Sequence, residues 1–364
     1  MRVAVLGAGG TIAPAIVRDL ASSEEVTALR LLDLDLRRAE AVAVEHGGGK
    51  AQARQADATG DLAEQLDGME VMVNSAAYRI NLAAMRACLD AGCNYIDLGG
   101  LYHVSGKQLE LHDEFEKAGL IAVLGIGSAP GKTNLMALAA VRRLGGTARA
   151  VHVAAAGRDP EAPPGLSLPY ALRTLIDELT LPPVVIRDGR AGEVEPLSDG
   201  GVLDYGDPIG LAQTIYTLHS EPRTFPESFG CSEASFRLSL SPALMERLRE
   251  LVDASPEEVE AAQASAQPAS PKTYSVHVAD ATAADGRFVR VACITRPLEG
   301  WRLGGGVVST ASPAAATVRL LARGQIEARG ALPPERCIEP DDMFPELERR
   351  GCEFRVEERE AVST

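Results

Sequence analysis

The sequence predicts an α/β fold: a doubly wound parallel sheet followed by a second domain of α+β type. Three observations carry that prediction. A short apolar run at residues 3–6 breaks at Gly7 into a glycine-rich turn and passes into a helical stretch at 11–20, the opening of a βαβ unit. A second apolar run, 29–32, ends at Asp33, about twenty residues past the glycines. Strands and helices then alternate six times in roughly the first 126 residues, and short links with right-handed crossovers leave the doubly wound sheet as the economical arrangement.

The first turn reads GAGGTIAP. Gly7 permits the sharp bend, and Gly9 leaves no side chain between backbone and ligand. With Gly10, Thr11 and Ile12 it sets amides at a helix N-terminus where they face a pyrophosphate. Ile12 stands where the dinucleotide fingerprint expects its third Gly or Ala. Asp33 is placed to accept both hydrogen bonds of an adenosine ribose, and its charge repels a 2'-phosphate, which points to NAD. Arg37 and Arg38 follow closely and offset that repulsion, so NADP stays open. S-adenosylmethionine enzymes use similar glycines and acid, but their core ends in an antiparallel hairpin for which no signal is present here.

Downstream, 36–46 is helical and stops at glycines 47–49. An extended piece, 51–56, ends at Asp57, either near the adenine edge or as a plain cap to a helix at 61–66. The run VMVNSAA at 71–77 suits a strand buried on both faces. Its carboxyl end, with Ser75, Ala76 and Tyr78, opens onto the cofactor. A helix at 81–91, a strand at 95–98, a helix at 108–117 and a strand at 121–126 follow. At 128–134 (SAPGKTN) the chain enters a helix reaching about residue 144, with Pro130 as opener. Beyond 151, candidate strands at 148–156, 184–187, 234–240, 273–279 and 288–294 alternate with proline-rich loops such as 159–169, a largely antiparallel or mixed sheet. Residues 255–272 read as a short helix and then a surface loop. A last clear helix at 312–323 precedes a Pro-Pro break and an acidic tail.

Composition narrows the partners. With 364 residues, 46% of them apolar, the chain can bury a sizeable core. A formal charge of -15 and a pI near 5.0 work against nucleic acid and anionic membranes, so small molecules are the expected partners. The six cysteines include no C-x-x-C pair, which excludes a disulfide framework or zinc site as the expectation, and Cys88 and Cys93 read as core thiols. The first strand starts within a few residues of Met1 and no apolar run approaches 18 residues, so a cytoplasmic protein is expected.

The succession GAGGTIAP, LLDLDLRRAE, VNSAAY, YIDLGG, GIGSAPGKTN and ARGQIEARGALPPE resembles the saccharopine dehydrogenase-like oxidoreductases, the short L-lysine 6-dehydrogenase type most closely. The likeness covers nearly all of the first 145 residues and thinly the rest, and the family tolerates a non-glycine at the place of Ile12. The resemblance implies an NAD(P)-dependent enzyme acting on a C–N bond of an amino acid, in a homodimer or larger oligomer. It further implies C-terminal helices folded back on the nucleotide domain. The expected division is a dinucleotide-binding (Rossmann) domain at 1–128, an α+β substrate and dimerisation domain at 129–310, and a helical segment at 311–364 returning to the first domain. Oxidative deamination of the ω-amine of L-lysine is the first expectation. Saccharopine-type or carboxynorspermidine-type secondary amines are the alternative, and a non-catalytic nucleotide-binding regulator is the alternative from another class.

Amine oxidation by hydride transfer needs a free lone pair, whereas a lysine-type ammonium has a pKa of about 10.4. A base or water path must therefore take a proton before the hydride leaves. Asp97, at the carboxyl end of the fifth strand, is the first candidate; the alternative is a carboxylate capping the turn at Gly99 and Gly100. Tyr102 and His103 lie in LYHVSG, expected as a loop facing the cleft, with His103 a candidate proton carrier. Tyr78 is placed to touch the nicotinamide or the amine. Gly131 and Lys132 open the helix near the nicotinamide end, where amides bind a carboxamide and Lys132 pairs with a carboxylate. Arg223, in the expected loop HSEPRTFPESF, offers a planar fork to a substrate α-carboxylate, with His219 and Glu221 beside it. No metal-ligand spacing is present.

Overall fold

The strand β1 (Arg2–Leu6) is buried at four consecutive positions, the pattern of a parallel strand covered on both faces. A computed structural model describes residues 1–60, 62–163, 167–168, 171–252 and 254–361. Asp61, at the head of the helix expected over 61–66, and residues 164–166 and 169 of the expected proline-rich loop lie outside them. The chain forms two units, Met1–Lys132 with Thr310–Leu347, and Thr133–Ser309 with Glu348–Thr364.

In the first unit β1 leads through the glycine turn into α1 (Ala13–Ala21), where Ile16, Val17 and Leu20 pack inward. Then come β2 (Ala28–Asp33) and α2 (Leu36–His46), capped by the Asp35 carboxylate on the Arg37 and Arg38 amides. β3 (Ala51–Gln55), α3 (Leu62–Gln65), β4 (Val71–Asn74) and α4 (Asn81–Ala91) follow, the last ended by Gly92 in the left-handed conformation. β5 (Asn94–Asp97), α5 (Leu101–Leu109), α6 (His112–Lys117) and β6 (Ile121–Val123) complete the run. All pairings are parallel, with Val3 between Leu29 and Val71. Leu6, Leu32, Met72, Tyr95, Phe115 and Ala122 belong to one buried cluster. One expectation is corrected: LYHVSG is the first turns of α5 instead of a loop, because buried Ser105 and Gln108 give that stretch an inward face.

α7 (Lys132–Arg143) leads into the second unit, through β7 (Ala150–Arg158), β8 (Ser167–Leu168) and α8 (Leu172–Thr180). β9 (Val184–Arg187), β10 (Arg190–Glu193), β11 (Asp199–Asp204) and β12 (Leu211–Tyr216) form hairpins, followed by α9 (Glu221–Phe229) and β13 (Glu233–Ser239). α10 (Pro242–Val252), α11 (Pro256–Ser265), the two-residue β14 (Gln267–Pro268), β15 (Tyr274–Thr282), β16 (Phe288–Thr295) and α12 (Gly305–Ala322) come next. The sheet is mixed: β13 and β7 are parallel, while β7, β15 and β16 run antiparallel in turn.

The chain then returns to the first unit. β17 (Gly330–Leu332) pairs in parallel with β6 and completes the order β17-β6-β5-β4-β1-β2-β3. α13 (Pro340–Glu348) follows, and β18 (Cys352–Arg359) pairs with β16 in the second sheet. The segment expected to pack on the first domain throughout 311–364 therefore divides, because β16 offers an open ladder to its last strand. The doubly wound sheet with a second α+β domain is as predicted. Among the described residues no helix is long and apolar enough to cross a membrane.

Buried charges fasten the return. Arg319 of α12 is 3% exposed and reaches Asp19 of α1 (2.9 Å) and Glu346 of α13 (2.7 Å), while Arg323 adds a bond to Glu346 at 2.8 Å. Removing the guanidinium takes a charged partner from two buried carboxylates, Arg323 staying on Glu346, so Arg319→Met is expected to cost about 3–5 kcal/mol in urea denaturation. A loss under about 1 kcal/mol, the value of an exposed pair, would place the fastening elsewhere.

Candidate functional site

At the carboxyl edge of the first sheet, Gly7 turns the chain with φ +74°, and a Cβ there would stand 2.8 Å from Ala76. The tip of the turn thus lies against the end of β4, an approach only glycine allows. The Gly7 and Ala8 amides both donate to Leu32 O, at 2.8 and 3.1 Å, and the Gly9 amide donates to Asp33 Oδ2 at 2.8 Å. Asp33 accepts the Asp35 amide on Oδ1 at 2.9 Å, leaving lone pairs over for a diol. Arg38 donates from its guanidinium to Gly9 O, so an acid and a base flank the same glycine. Ile12 is buried at the N-cap of α1 and supplies no capping side chain; no acid stands in the first turn, and Pro14 opens it. Thr11 is exposed. An uncapped helix start with its dipole unneutralised is a site for an anion.

Ser75 and Ala76 continue from β4. The Ser75 hydroxyl oxygen is buried with no hydrogen-bond partner among the described residues, a polar atom left for a ligand beside the glycine turn. Asp57 is exposed and binds the amide and hydroxyl of Thr59, both at 2.8 Å, which holds its carboxyl below the usual range. It caps its own turn. The glycines, Asp33, Arg38 and Ser75 together fit a dinucleotide: a close-approach turn, a diol acceptor and an unspent hydroxyl.

Asp97 is the centre of a buried polar network. It is 1% exposed; Oδ1 accepts the amides of Gly99 (2.9 Å) and Gly125 (2.7 Å), and Oδ2 accepts Gln108 (2.6 Å) and Asn81 (3.3 Å). Asn81 also accepts from Asn74 at 2.9 Å, and Asn74 lies 3.2 Å from the Tyr95 hydroxyl. Burial pushes the Asp97 carboxyl above its ordinary value, while bonds from Gln108, Gly125, Tyr95 and Gly99 pull it back. These bonds hold the turns after β5 and β6 against α4 and α5. Asn74, Asn81 and Gln108 were missed in the sequence; the only signal was amides flanking an acid in otherwise apolar strands.

The other candidates stand on this frame. Tyr78 begins a short 3-10 turn, Tyr78–Ile80, that packs against α5, with the Arg79 guanidinium 5.1 Å from its ring centroid. Tyr102 is half-buried and His103 exposed on the first turn of α5, their rings edge to face at 5.3 Å. Gly131, φ +119°, lies so close to Gly127 that a Cβ would be 2.5 Å from its N and O. Lys132 is fully buried, and its amide donates to Gly127 O at 2.9 Å. Ser128 and Thr310 hydroxyls meet at 3.2 Å beside the same loop. In the second unit, Arg223 is exposed on α9; the expected loop is a helix opened by Pro222 and ended by Gly230. Glu221 and His219 beside it are buried and within 3.1 Å of one another. No group of three metal-ligating side chains is placed to hold an ion among the described residues.

Residues 3–123 match the family described as the saccharopine dehydrogenase NADP-binding domain. A carboxyaminopropylagmatine dehydrogenase of Synechocystis sp. is 25% identical over 263 residues, 69% of this chain; the chain spans 65% of the length of that relative. An apo saccharopine dehydrogenase (L-Glu forming) from Saccharomyces cerevisiae has the same fold, with a TM-score of 0.73 at 15% identity over 99% of this chain and 100% of that one. The match at 3–123 falls on the stretch whose motifs carry most of the resemblance.

The raised Asp97 carboxyl has a consequence for stability. The native state holds its proton to higher pH than the unfolded chain, so the stability this group contributes is full below the ordinary carboxylate value of 3.8 and is lost as pH rises through the raised one. In Asp97→Asn that fall is expected to vanish from denaturation curves taken over the acid range. An unchanged slope would mean another group titrates there.

Proposed function

We infer, from a first domain of the saccharopine dehydrogenase NADP-binding kind, that the protein is a nicotinamide-dinucleotide-dependent oxidoreductase acting on the C–N bond of an amino-acid amine. The observation that carries the reading is the glycine turn with Asp33 and Arg38 on either side of Gly9, next to the unpartnered Ser75 hydroxyl. When bound there, the dinucleotide supplies the hydride acceptor. Gly7, Gly9, Gly10, Thr11 and Ile12 would hold its diphosphate, Asp33 its adenosine ribose, Ser75, Ala76 and Gly131 the far end, with Asp57 near the adenine.

The protein's own part is proton handling and orientation. Tyr78 and His103, on adjoining turns, are the groups proposed to take the ammonium proton. Asp97, the first candidate in the sequence, is proposed as a positioning residue, tying β5, α4, α5 and the loop after β6 into one piece. Tyr102 and Lys132 are proposed to orient the substrate, and Arg223 to hold its α-carboxylate through a bidentate fork. The ω-amine of L-lysine is the first substrate to try. The carboxyaminopropylagmatine dehydrogenase relative favours a second reading, a secondary amine of saccharopine type in which the scissile nitrogen joins two carbon chains. The oxidoreductase is proposed to work as a homodimer in the cytoplasm.

A panel of basic amino acids, N-substituted amino acids and polyamines, each with NAD and NADP, is expected to give reduced nicotinamide absorbance with at least one member. Silence across the panel while dinucleotide still binds would favour a regulator. With the active amine, Arg223→Leu is expected to raise KM about 10- to 100-fold, the worth of a charged hydrogen bond of roughly 1.5–3 kcal/mol, with kcat kept.

Dinucleotide choice is set where Asp33 and Arg38 meet. Arg38→Ala is expected to weaken NADP about 10-fold or more in fluorescence titration and leave NAD little changed, while Asp33→Ser moves preference toward NADP. Equal losses for both dinucleotides in both variants would remove the pair from the adenosine end.

A further inference from the structure

The second unit buries two carboxylates around one imidazole. His219, in the connection from β12 to α9, is 5% exposed; Glu178 of α8 is buried equally and Glu221, the first residue of α9, completely. Its Nδ1 is 3.1 Å from Glu221 Oε2 and its Nε2 3.9 Å from Glu178 Oε2. The ring stacks on Phe236 of β13 with centroids 3.5 Å apart, which bars it from swinging away from the acids. Glu221 spends its other oxygen on the α7 helix: Oε1 accepts the Thr133 hydroxyl at 2.9 Å. Thr133 is itself fully buried, and it follows Lys132 in the first turn.

Burial by itself disfavours a charged ring, and two adjacent carboxylates favour it. The carboxylates win, and the imidazole pKa is raised. The titratable groups facing the ring are Glu178 from α8 and Glu221 from α9; Phe236 and Thr133 bring no charge. The salt-linked cluster spans three helices, yet none of it is used in the amine chemistry described above.

We propose that His219, stacked on Phe236 and set between Glu178 and Glu221, is a positioning residue: it orients Glu221 on the Thr133 hydroxyl and so fixes the first turn of α7, which carries Lys132. The effect on turnover rests on the oxidoreductase reading; the clamp itself does not. Thr133→Val, Glu221→Gln and His219→Gln each loosen that turn, and Thr133→Ser keeps the hydroxyl that Glu221 needs.

In the full chain, with the amine that wild type oxidises, the first three variants are expected to lose about 10²-fold in kcat while dinucleotide Kd stays unchanged. Thr133→Ser retains the rate, and wild-type kcat is expected to fall as pH rises through the raised His219 value, a fall missing from His219→Gln. Without substrate, the melting-temperature advantage of wild type over His219→Gln is expected to be full below the unfolded histidine value of about 6.5 and to shrink as pH rises through the raised one. A wild type silent with every amine sinks the oxidoreductase reading, and the melting comparison then decides the clamp alone. Wild-type kcat in Thr133→Val, or a melting difference that does not change between roughly pH 6 and 9, overturns it.

Discussion

The carboxylate of Asp97 is the point on which the working edge of the first unit hangs. A parallel sheet delivers its strands to one edge but leaves the loops beyond them to find their own order. Here one buried acid takes amide donors from the turn after β5, the loop after β6, α4 and α5. Each donor alone is worth about 1.5–3 kcal/mol to a charged acceptor, and an ion so deep is tolerated only when all are present. Of the candidates for chemistry, Tyr102 and His103 ride on α5, Tyr78 stands in the turn just ahead of α4, and Lys132 opens α7 beyond the loop after β6. The loops around them are therefore ordered by one buried carboxylate.

A second constraint is topological. The seventh strand of the parallel sheet, β17, comes from about two hundred residues beyond the sixth, after the chain has built another sheet. Closing so long an excursion costs loop entropy slowly with length, roughly 0.6 kcal/mol for each doubling, so the detour is affordable if the returning segment is well fastened. Three parallel pairings with β6 give direction. The Arg319, Asp19 and Glu346 cluster gives the depth, placing α12 and α13 against α1.

Much of this was legible in the sequence, and what was missed has a physical pattern. The elements β1, α1, β2 and α4 emerged because local signals agree there: an apolar run, a glycine break, a capping acid, a left-handed glycine at the end. The helix α5 did not, since Gly106 and two adjacent glycines read as loop while the inward pull on Gln108 comes from an acid eleven residues away. The edge elements β10, β11 and β18 were missed because their residues are mostly exposed and polar, so no alternation marks them. The helix carrying Arg223 hid behind two prolines, one at its opening and Pro226 inside. Of the site, Asp33 and the glycines were visible as a motif, whereas the amide network around Asp97 and the cluster around His219 are long-range contacts that no window of sequence contains.

The place where the chain departs from the dinucleotide fingerprint shows how the site tolerates it. A third glycine normally lets the first helix lie close to its strand. Ile12 instead goes inward at the N-cap, 7% exposed, and Pro14, which has no N–H to satisfy, sets the first helical turn. The helix start thus lacks a capping side chain, a deficit of about 1 kcal/mol in the free protein. Under the proposed function a diphosphate at that end would supply the missing acceptor, so the feature that weakens the free helix would strengthen the grip on the ligand. Ligand and fold would then be linked by mass action, occupancy of the turn raising the stability of the first unit.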